Sequence, residues 1–143
     1  MLTYIRGDIF DSHMQTLVNP VNTVGVMGAG LAKEFAKRYP TMFCYYRDLC
    51  DTQELSIGWP WIYKEFNSSI LLFPTKRHWK DPSKLEYIDS GLRGFVLMYK
   101  EMNIASVAFP KLGCGLGVLW WPSVEKLFEK HLAEIDISVE IYI

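Results

Sequence analysis

The chain has 143 residues, of which 50% are hydrophobic and 22% are charged, and its formal net charge is −1. This length accommodates one domain with a substantial core, and the near-neutral charge excludes a surface that attracts nucleic acid or anionic membrane as a whole. No apolar run approaches the roughly 20 residues that cross a bilayer, and no signal-peptide pattern is present. Cys44, Cys50 and Cys114 have neither disulfide-framework nor zinc-ligand spacing. We expect a single domain, residues 1–143, in the cytoplasm.

Strand-like and helix-like segments alternate along the chain. In chain order the pattern predicts strands at 2–6 and 15–19, helices at 31–38 and 42–50, strands at 61–66 and 70–73, a helix after residue 81, a strand at 106–109, a helix at 122–133 and a strand at 138–143. The helix after residue 81 is predicted to begin at Asp81-Pro82-Ser83, because Asp81 can cap it and proline suits a first helical position. This alternation favours a mixed or mostly parallel sheet covered on both faces.

The segment from Val18 to Gly30 indicates an anion site. It runs from an apolar strand through two asparagines to Gly25, Gly28 and Gly30, and the helix at 31–38 follows. Glycines let backbone N–H groups approach an oxyanion closely, and a helix N-terminus adds unpaired donors. The GxxGxG spacing matches neither the dinucleotide fingerprint nor the GK[ST] phosphate loop. A phosphate-bearing ligand without a standard nucleotide motif is therefore predicted.

Two further loops follow apolar strands. The second glycine-rich loop, Gly113 to Gly117, follows the strand at 106–109, and residues 75–80 follow the strand at 70–73. In open α/β sheets, ligands bind beyond the carboxyl ends of the strands, where loops converge. We therefore expect the two glycine loops and residues 75–80 to meet at one crevice.

The order of these motifs resembles the macrodomain, an ADP-ribose-binding module, over essentially the whole chain. The segments that carry the resemblance are Gly7-Asp8-Ile9, Val18 to Asn22, Met27 to Gly30, Gly113 to Gly117 and the final strand. Within the superfamily, Phe73 to Trp79 and Ser83 to Ile88 resemble the DarG antitoxin type and its relative, the terminal ADP-ribose protein glycohydrolase. The resemblance implies a three-layer α/β/α fold with a central mixed sheet.

The resemblance also implies a role for each matching position. Asp8 would accept a hydrogen bond from the adenine amino group, with the Ile9 backbone nearby, and Asn22 would orient the distal ribose for catalysis. Lys76 would be the catalytic residue on which release of ADP-ribose depends. The remaining implied ligand-binding positions are Met27, Gly28 and Gly30 in the first glycine loop and Gly113, Cys114, Gly115, Leu116 and Gly117 in the second. No metal or cofactor is implied.

Several of these residues keep a second interpretation. The Lys76 amine can attack a ring-opened sugar aldehyde, or it can protonate or position the leaving group. Asp8 can simply cap a turn, and Cys114, with no histidine placed locally, is best explained as a small residue in a tight loop. The basic cluster around Trp79 is either a solvated loop or a contact to DNA phosphates, with Trp79 stacking on a base.

Two positions depart from the relatives. The protein glycohydrolase has an aspartate where this sequence has Gly117, and DarG-type chains often have one where this sequence has Trp120. The protein glycohydrolase uses a lysine together with that aspartate, and this sequence lacks the aspartate. Its mechanism therefore cannot be assigned here in full, and the DarG type, in which lysine is the central residue, is favoured.

The function implied is hydrolysis of the N-glycosyl bond between ADP-ribose and a DNA nucleobase, an antitoxin activity that depends on lysine. The expected partners are ADP-ribose and ADP-ribosylated DNA, together with a cognate DNA ADP-ribosyltransferase toxin, and we expect a monomer without membrane contact. One alternative is a hydrolase of ADP-ribose on acidic protein side chains or in small esters. The other is a non-catalytic ADP-ribose reader.

Overall fold

The computed structural model describes all residues from 1 to 143. The strands are β1 (Leu2–Ile5), β2 (Thr16–Asn22), β3 (Trp61–Glu65), β4 (Ser68–Lys76), β5 (Ser106–Pro110) and β6 (Ser138–Tyr142), and the helices are α1 (Gly30–Arg38), α2 (Pro40–Asp51), α3 (Leu85–Met98) and α4 (Trp121–Leu132). The six strands form one sheet in the order β1-β6-β5-β2-β4-β3. Only the β3–β4 hairpin is antiparallel. None of the four helices has the length and apolar character that crossing a membrane requires.

The sheet has a hydrophobic core on each face. Strand β4 shows the alternation most clearly, because Leu71 and Phe73 belong to the core beneath α3 and α4, whereas Ile70 and Leu72 belong to the core beneath α1 and α2. All four side chains are essentially inaccessible to solvent. A central strand that is apolar on both faces is the expected sequence of a sheet covered on both sides. The predicted three-layer α/β/α arrangement is confirmed.

The sheet opens between β2 and β5. Strand β2 pairs with β4 along its whole length, but with β5 only at Thr16 and Leu17. Beyond Leu17 one edge of β2 is therefore unpaired, which is a setting in which a strand tolerates a proline such as Pro20. The strand continues three residues further than the sequence pattern predicted and carries Asn22 to the edge of the sheet.

The start of α3 differs from the prediction. The helix begins at Leu85, its N-cap position is Lys84, and no side chain caps it, so the capping role assigned to Asp81 was wrong. The cause is a tertiary contact. Ser83 is 5% exposed, and its backbone N–H donates a hydrogen bond to the carbonyl oxygen of Gly117 at 3.1 Å. This bond holds Ser83 outside the helix, beside the second glycine loop, so that α3 begins only at Leu85.

Candidate active site

A cleft of about 800 Å³ lies where β2 and β5 separate, beyond the carboxyl ends of the parallel strands. Its walls come from the first glycine loop and the start of α1, from the second glycine loop, and from the end of β4 with Trp79 beyond it. Thr75 and Lys76 were predicted to follow the strand, but they are its last two residues, because β4 pairs with β2 as far as Lys76. The prediction that these three segments meet at one crevice is confirmed. Of the 19 residues that line the cleft, only Lys76 and Lys111 have ionisable side chains.

One wall of the cleft offers backbone N–H donors from the first glycine loop. The first helical hydrogen bond of α1 is donated by Lys33 to Ala29, and the N–H groups of Gly28 to Ala32 donate no hydrogen bond within the chain. Gly30 has φ +58°, a conformation that favours glycine. Unpaired donors at a helix N-terminus form a natural site for an oxyanion such as a diphosphate.

The second glycine loop provides a facing set of donors. The N–H groups of Gly115, Leu116 and Gly117 are unpaired within the chain, whereas that of Cys114 already donates to the carbonyl oxygen of Lys111 at 3.1 Å. The two loops touch, since a Cβ on Gly30 would lie 3.2 Å from Leu116 Cδ1. A ligand in the cleft is therefore within reach of two sets of backbone donors.

Cys114 itself points away from the cleft. Its thiol packs against the core beneath α3 and α4, contacts the carbonyl oxygen of Leu112 at 3.5 Å, and is absent from the cleft lining. Burial raises the pKa of the thiol, which disfavours the thiolate needed for nucleophilic attack. The geometry agrees with a structural role for this cysteine in the loop, and its predicted ligand contact stays a prediction.

Lys76 stands between the segment after β4 and the second glycine loop. Its Nζ donates hydrogen bonds to the carbonyl oxygens of Trp79 at 3.1 Å and Leu116 at 3.4 Å. The side chain is half-buried, lines the cleft and forms no ion pair with a carboxylate. Because an ammonium carries three protons, one donor remains for a ligand. The two carbonyls thus hold the Lys76 side-chain nitrogen at the cleft without an ion-pair partner.

Asn22 is the register partner of Lys76 on the neighbouring strand, at the point where a bulge interrupts the β2–β4 ladder. Its Oδ1 accepts hydrogen bonds from the backbone N–H of Val24 at 3.0 Å and from the hydroxyl of Tyr46 at 2.7 Å, and its Nδ2 donates to Val26 at 2.8 Å. Asn22 therefore shapes the first glycine loop, and one Nδ2 proton is left for a ligand. Its predicted contact with the distal ribose stays a prediction.

Tyr46 supports the site through Asn22, a role that the sequence did not reveal. It lies on α2 and is fully buried, and its single hydroxyl proton points between the backbone oxygen and the side-chain oxygen of Asn22, at 2.8 and 2.7 Å. Burial raises the pKa of its hydroxyl, so it remains a donor. In the sequence Tyr46 is one more aromatic residue on an amphipathic helix, and only the fold brings it beneath the cleft.

Asp8 and Ile9 line a smaller adjoining depression of about 440 Å³. This depression shares Leu31 and Pro110 with the main cleft, so the two lie side by side. One carboxylate oxygen of Asp8 accepts a hydrogen bond from the backbone N–H of Phe10 at 3.0 Å and caps a short 3-10 turn at Ile9–Asp11. The other oxygen is free, so turn capping and ligand binding are compatible, and the adenine contact stays a prediction.

The two positions that depart from the relatives also have structural explanations. A Cβ on Gly117 would lie 2.4 Å from Ser83 Oγ and 2.5 Å from the carbonyl oxygen of Gly113, so no aspartate fits there without moving the loop. Trp120 precedes α4 and is 73% exposed, outside the cleft lining. No cluster of three or more histidine, cysteine or acidic residues is arranged to hold a metal ion.

These features define an α/β domain with a cleft of about 800 Å³ between two glycine loops whose unpaired N–H groups suit a diphosphate. A family model described as Macro domain matches residues 18–128, and the chain belongs to this family. Among solved structures, the macrodomain of Thermus aquaticus DarG is 36% identical with a TM-score of 0.94, over 100% of this chain and 98% of that one. The macrodomain of Mycobacterium tuberculosis DarG is 43% identical, also with a TM-score of 0.94, over 99% and 97%. The predicted resemblance to the DarG type is confirmed.

Curated relatives are longer than this chain. A protein named DNA ADP-ribosyl glycohydrolase from Mycobacterium tuberculosis is 43% identical over 99% of this chain and 42% of its own length. A Thermosipho africanus protein, named as a fusion of a DNA ADP-ribosyl transferase and a DNA ADP-ribosyl glycohydrolase, is 42% identical over 99% and 42%. The chain therefore spans less than half the length of these two relatives.

Proposed function

We propose that this domain is an ADP-ribosyl glycohydrolase that removes ADP-ribose from DNA nucleobases and depends on Lys76. The observation that carries the proposal is the position of the Lys76 amine, which is held by two loop carbonyls beside Asn22 in a cleft without any carboxylate. The names of the Mycobacterium and Thermosipho relatives support the substrate class. A Thermosipho africanus DarTG structure described as a complex with ADP-ribose supports the ligand.

The two sets of N–H donors fix the orientation of the ligand in this proposal. The diphosphate lies between the N-terminus of α1 and the second glycine loop, where unpaired donors converge. The adenine end then extends over Leu31 and Pro110 toward Asp8, and the distal ribose reaches Asn22 and Lys76. Preorganised donors of this kind stabilise negative charge without reorganising during the reaction.

Hydrolysis replaces the bond between the anomeric carbon and the base nitrogen with a bond to water oxygen, and the departing base gains a proton. Two routes use the Lys76 amine. In one, Lys76 donates the proton to the base as the anomeric carbon gains positive charge. In the other, the ribose ring opens with the base still bound to the anomeric carbon, the neutral amine adds to that carbon and the base leaves, and water then hydrolyses the resulting lysine imine to regenerate the amine. Both routes require this nitrogen to face the distal ribose.

The test is parallel incubation with ADP-ribosylated single-stranded DNA and ADP-ribosylated protein. We expect release from DNA, and the Lys76→Ala variant should lose about a hundredfold or more in rate. The matched control is Lys126→Ala on the exposed face of α4, which should retain the rate because Lys126 is exposed and unpaired. Full turnover by Lys76→Ala would refute the mechanism. Release only from protein would favour the acidic side-chain hydrolase, and binding without release would favour the reader.

A cellular setting belongs to the same proposal. The Thermosipho fusion suggests that a cognate DNA ADP-ribosyltransferase toxin supplies the substrate. All three cysteines are free, in keeping with a reducing cytoplasmic location, and the cleft is complete within one chain, in keeping with a monomer. Co-expression with such a toxin should restore growth with the wild type and not with Lys76→Ala. Equal rescue by both would show that antitoxin action does not depend on hydrolysis.

A further inference from the structure

The segment that follows Lys76 forms a distinct surface at the mouth of the cleft. We name it the basic rim and define it by Arg77, His78, Trp79, Lys80 and Lys84. Trp79 lines the cleft and is 49% exposed, whereas Arg77, Lys80 and Lys84 lie on the outer surface. The rim therefore adjoins the site at which the ADP-ribosylated group must enter.

The cations of the basic rim form no ion pair with a carboxylate. The carboxylates that form ion pairs in this protein are those of Glu34, Asp89 and Asp136, and none of them is bonded to the rim. Within the rim the charges instead lie over aromatic rings. The Lys80 ammonium is 5.0 Å from the centroid of the Trp79 ring, and the Lys84 ammonium is 5.6 Å from that of Tyr87. The three rim cations outnumber the two exposed carboxylates of the same stretch, Asp81 and Glu86, so in a chain of net charge −1 this is a weakly positive local surface interleaved with aromatic rings.

The rim is also held in place by the loops of the site. The backbone N–H and the hydroxyl of Thr23 both donate to the carbonyl oxygen of Arg77, at 3.2 and 3.0 Å. At the other end, the N–H of Ser83 donates to Gly117. The His78 and Trp79 rings stack with centroids 5.3 Å apart. A segment tied to both glycine loops keeps its cations at a fixed distance from the cleft.

We propose that the basic rim binds the single-stranded polynucleotide on either side of the modified nucleotide. This inference rests on the proposed function and adds how the polymer, as distinct from ADP-ribose, is recognised. Single-stranded nucleic acid is bound by cations that follow its phosphates and by aromatic rings on which its bases stack. A flanking base stacks on the Trp79 ring. The Lys80 ammonium, which lies over that ring in the free protein, then moves away and pairs with the adjacent phosphate. Lys84 meets the next phosphate.

The test compares two substrates that differ only in polymer length, an ADP-ribosylated mononucleoside and a single-stranded oligonucleotide with one such base at its centre. The variant Lys80→Gln/Lys84→Gln should raise the ratio of oligonucleotide KM to mononucleoside KM about tenfold. It should also reduce the slope of log KM against log salt for the oligonucleotide by about 1.4, which is two phosphates at about 0.7 each. The matched control is Lys64→Gln/Lys126→Gln, two exposed cations outside the rim, and it should leave both quantities unchanged.

A second variant tests the stacking ring. Trp79→Ala should raise the oligonucleotide KM about tenfold more than Trp59→Ala, which removes a tryptophan that is 56% exposed and lies outside the cleft lining. An unchanged KM ratio and salt slope in Lys80→Gln/Lys84→Gln would overturn the proposal.

The proposed polynucleotide binding can be tested even if the proposed hydrolase function is wrong. Should the wild type cleave neither DNA substrate, fluorescence anisotropy with an unmodified oligonucleotide measures the rim directly. Salt-dependent binding that weakens in Lys80→Gln/Lys84→Gln and not in the control would support the docking surface without the enzyme. Absence of binding by the wild type would overturn it.

Discussion

Gly117 is the position where a single methyl group should disturb the site most. In Gly117→Ala the new Cβ would lie 2.4 Å from Ser83 Oγ and 2.5 Å from the carbonyl oxygen of Gly113, and neither approach is tolerated by real side chains. Overpacking of this kind costs about 1–3 kcal/mol. For a domain of this size that cost corresponds to a fall in Tm of about 3–10 °C. The loop must move, and Leu116 moves with it, so the hydrogen bond from Lys76 to Leu116 should also be lost.

The assay is thermal unfolding of Gly117→Ala beside Gly115→Ala. A Cβ on Gly115 meets no atom within 4 Å, so this neighbour in the same loop should keep a near wild-type Tm. Adding Ser83→Gly to Gly117→Ala removes one of the two close contacts and should recover part of the loss, because Gly113 remains in the way. Equal Tm values for the two alanine variants would refute the steric argument.

Three further predictions follow from particular contacts. Tyr46→Phe should lower the free energy of unfolding by about 1–2 kcal/mol in urea titrations, because Asn22 loses a buried donor; an unchanged value would remove Tyr46 from the account. Asp8→Ala should weaken ADP-ribose binding about tenfold by calorimetry, and an unchanged Kd would reduce Asp8 to a turn cap. The hydrogen bond from His131 lowers the pKa of Asp89, so that pair stabilises the fold above the ordinary carboxyl pKa of 3.8 and loses its effect as the pH falls through the lowered value. Asp89→Asn should therefore reduce Tm at neutral pH by more than it does in acid, where the Asp89 carboxyl is protonated, and a constant difference would contradict this.

The sequence predicted the parts of the fold that depend on local pattern. The hydrophobic pattern located all six strands and all four α-helices, although α2 begins at Pro40, two residues before its predicted start, because proline fits a first turn. It also predicted the convergence of the glycine loops, since parallel strands place their following loops at one edge. The start of α3 was wrong because the bond from Ser83 to Gly117 is tertiary and leaves no local signature.

Many of the hydrogen bonds that support the site could not be predicted from the sequence, because they too are tertiary contacts. Asn22 was predicted as a catalytic and ligand-binding residue, whereas the structure also makes it the centre of the hydrogen bonds that shape the first glycine loop. Its partner Tyr46 is 24 residues away along the chain, and the two meet only when α2 packs on the sheet. Of the two carbonyls that hold Lys76, that of Trp79 is local, whereas that of Leu116 belongs to a loop 40 residues away along the chain. The sequence shows which side chains are present, but these contacts depend on how the fold brings distant parts of the backbone together.

The central claim is that the Lys76 amine faces the distal ribose of ADP-ribose bound between the two glycine loops. A crystal structure of the complex with ADP-ribose measures this directly. The account predicts the diphosphate within hydrogen-bond distance of the unpaired N–H groups of both loops, and Lys76 Nζ within about 4 Å of the anomeric carbon of the distal ribose. An ammonium turned to solvent, with that carbon on the far side of the cleft, would contradict the account.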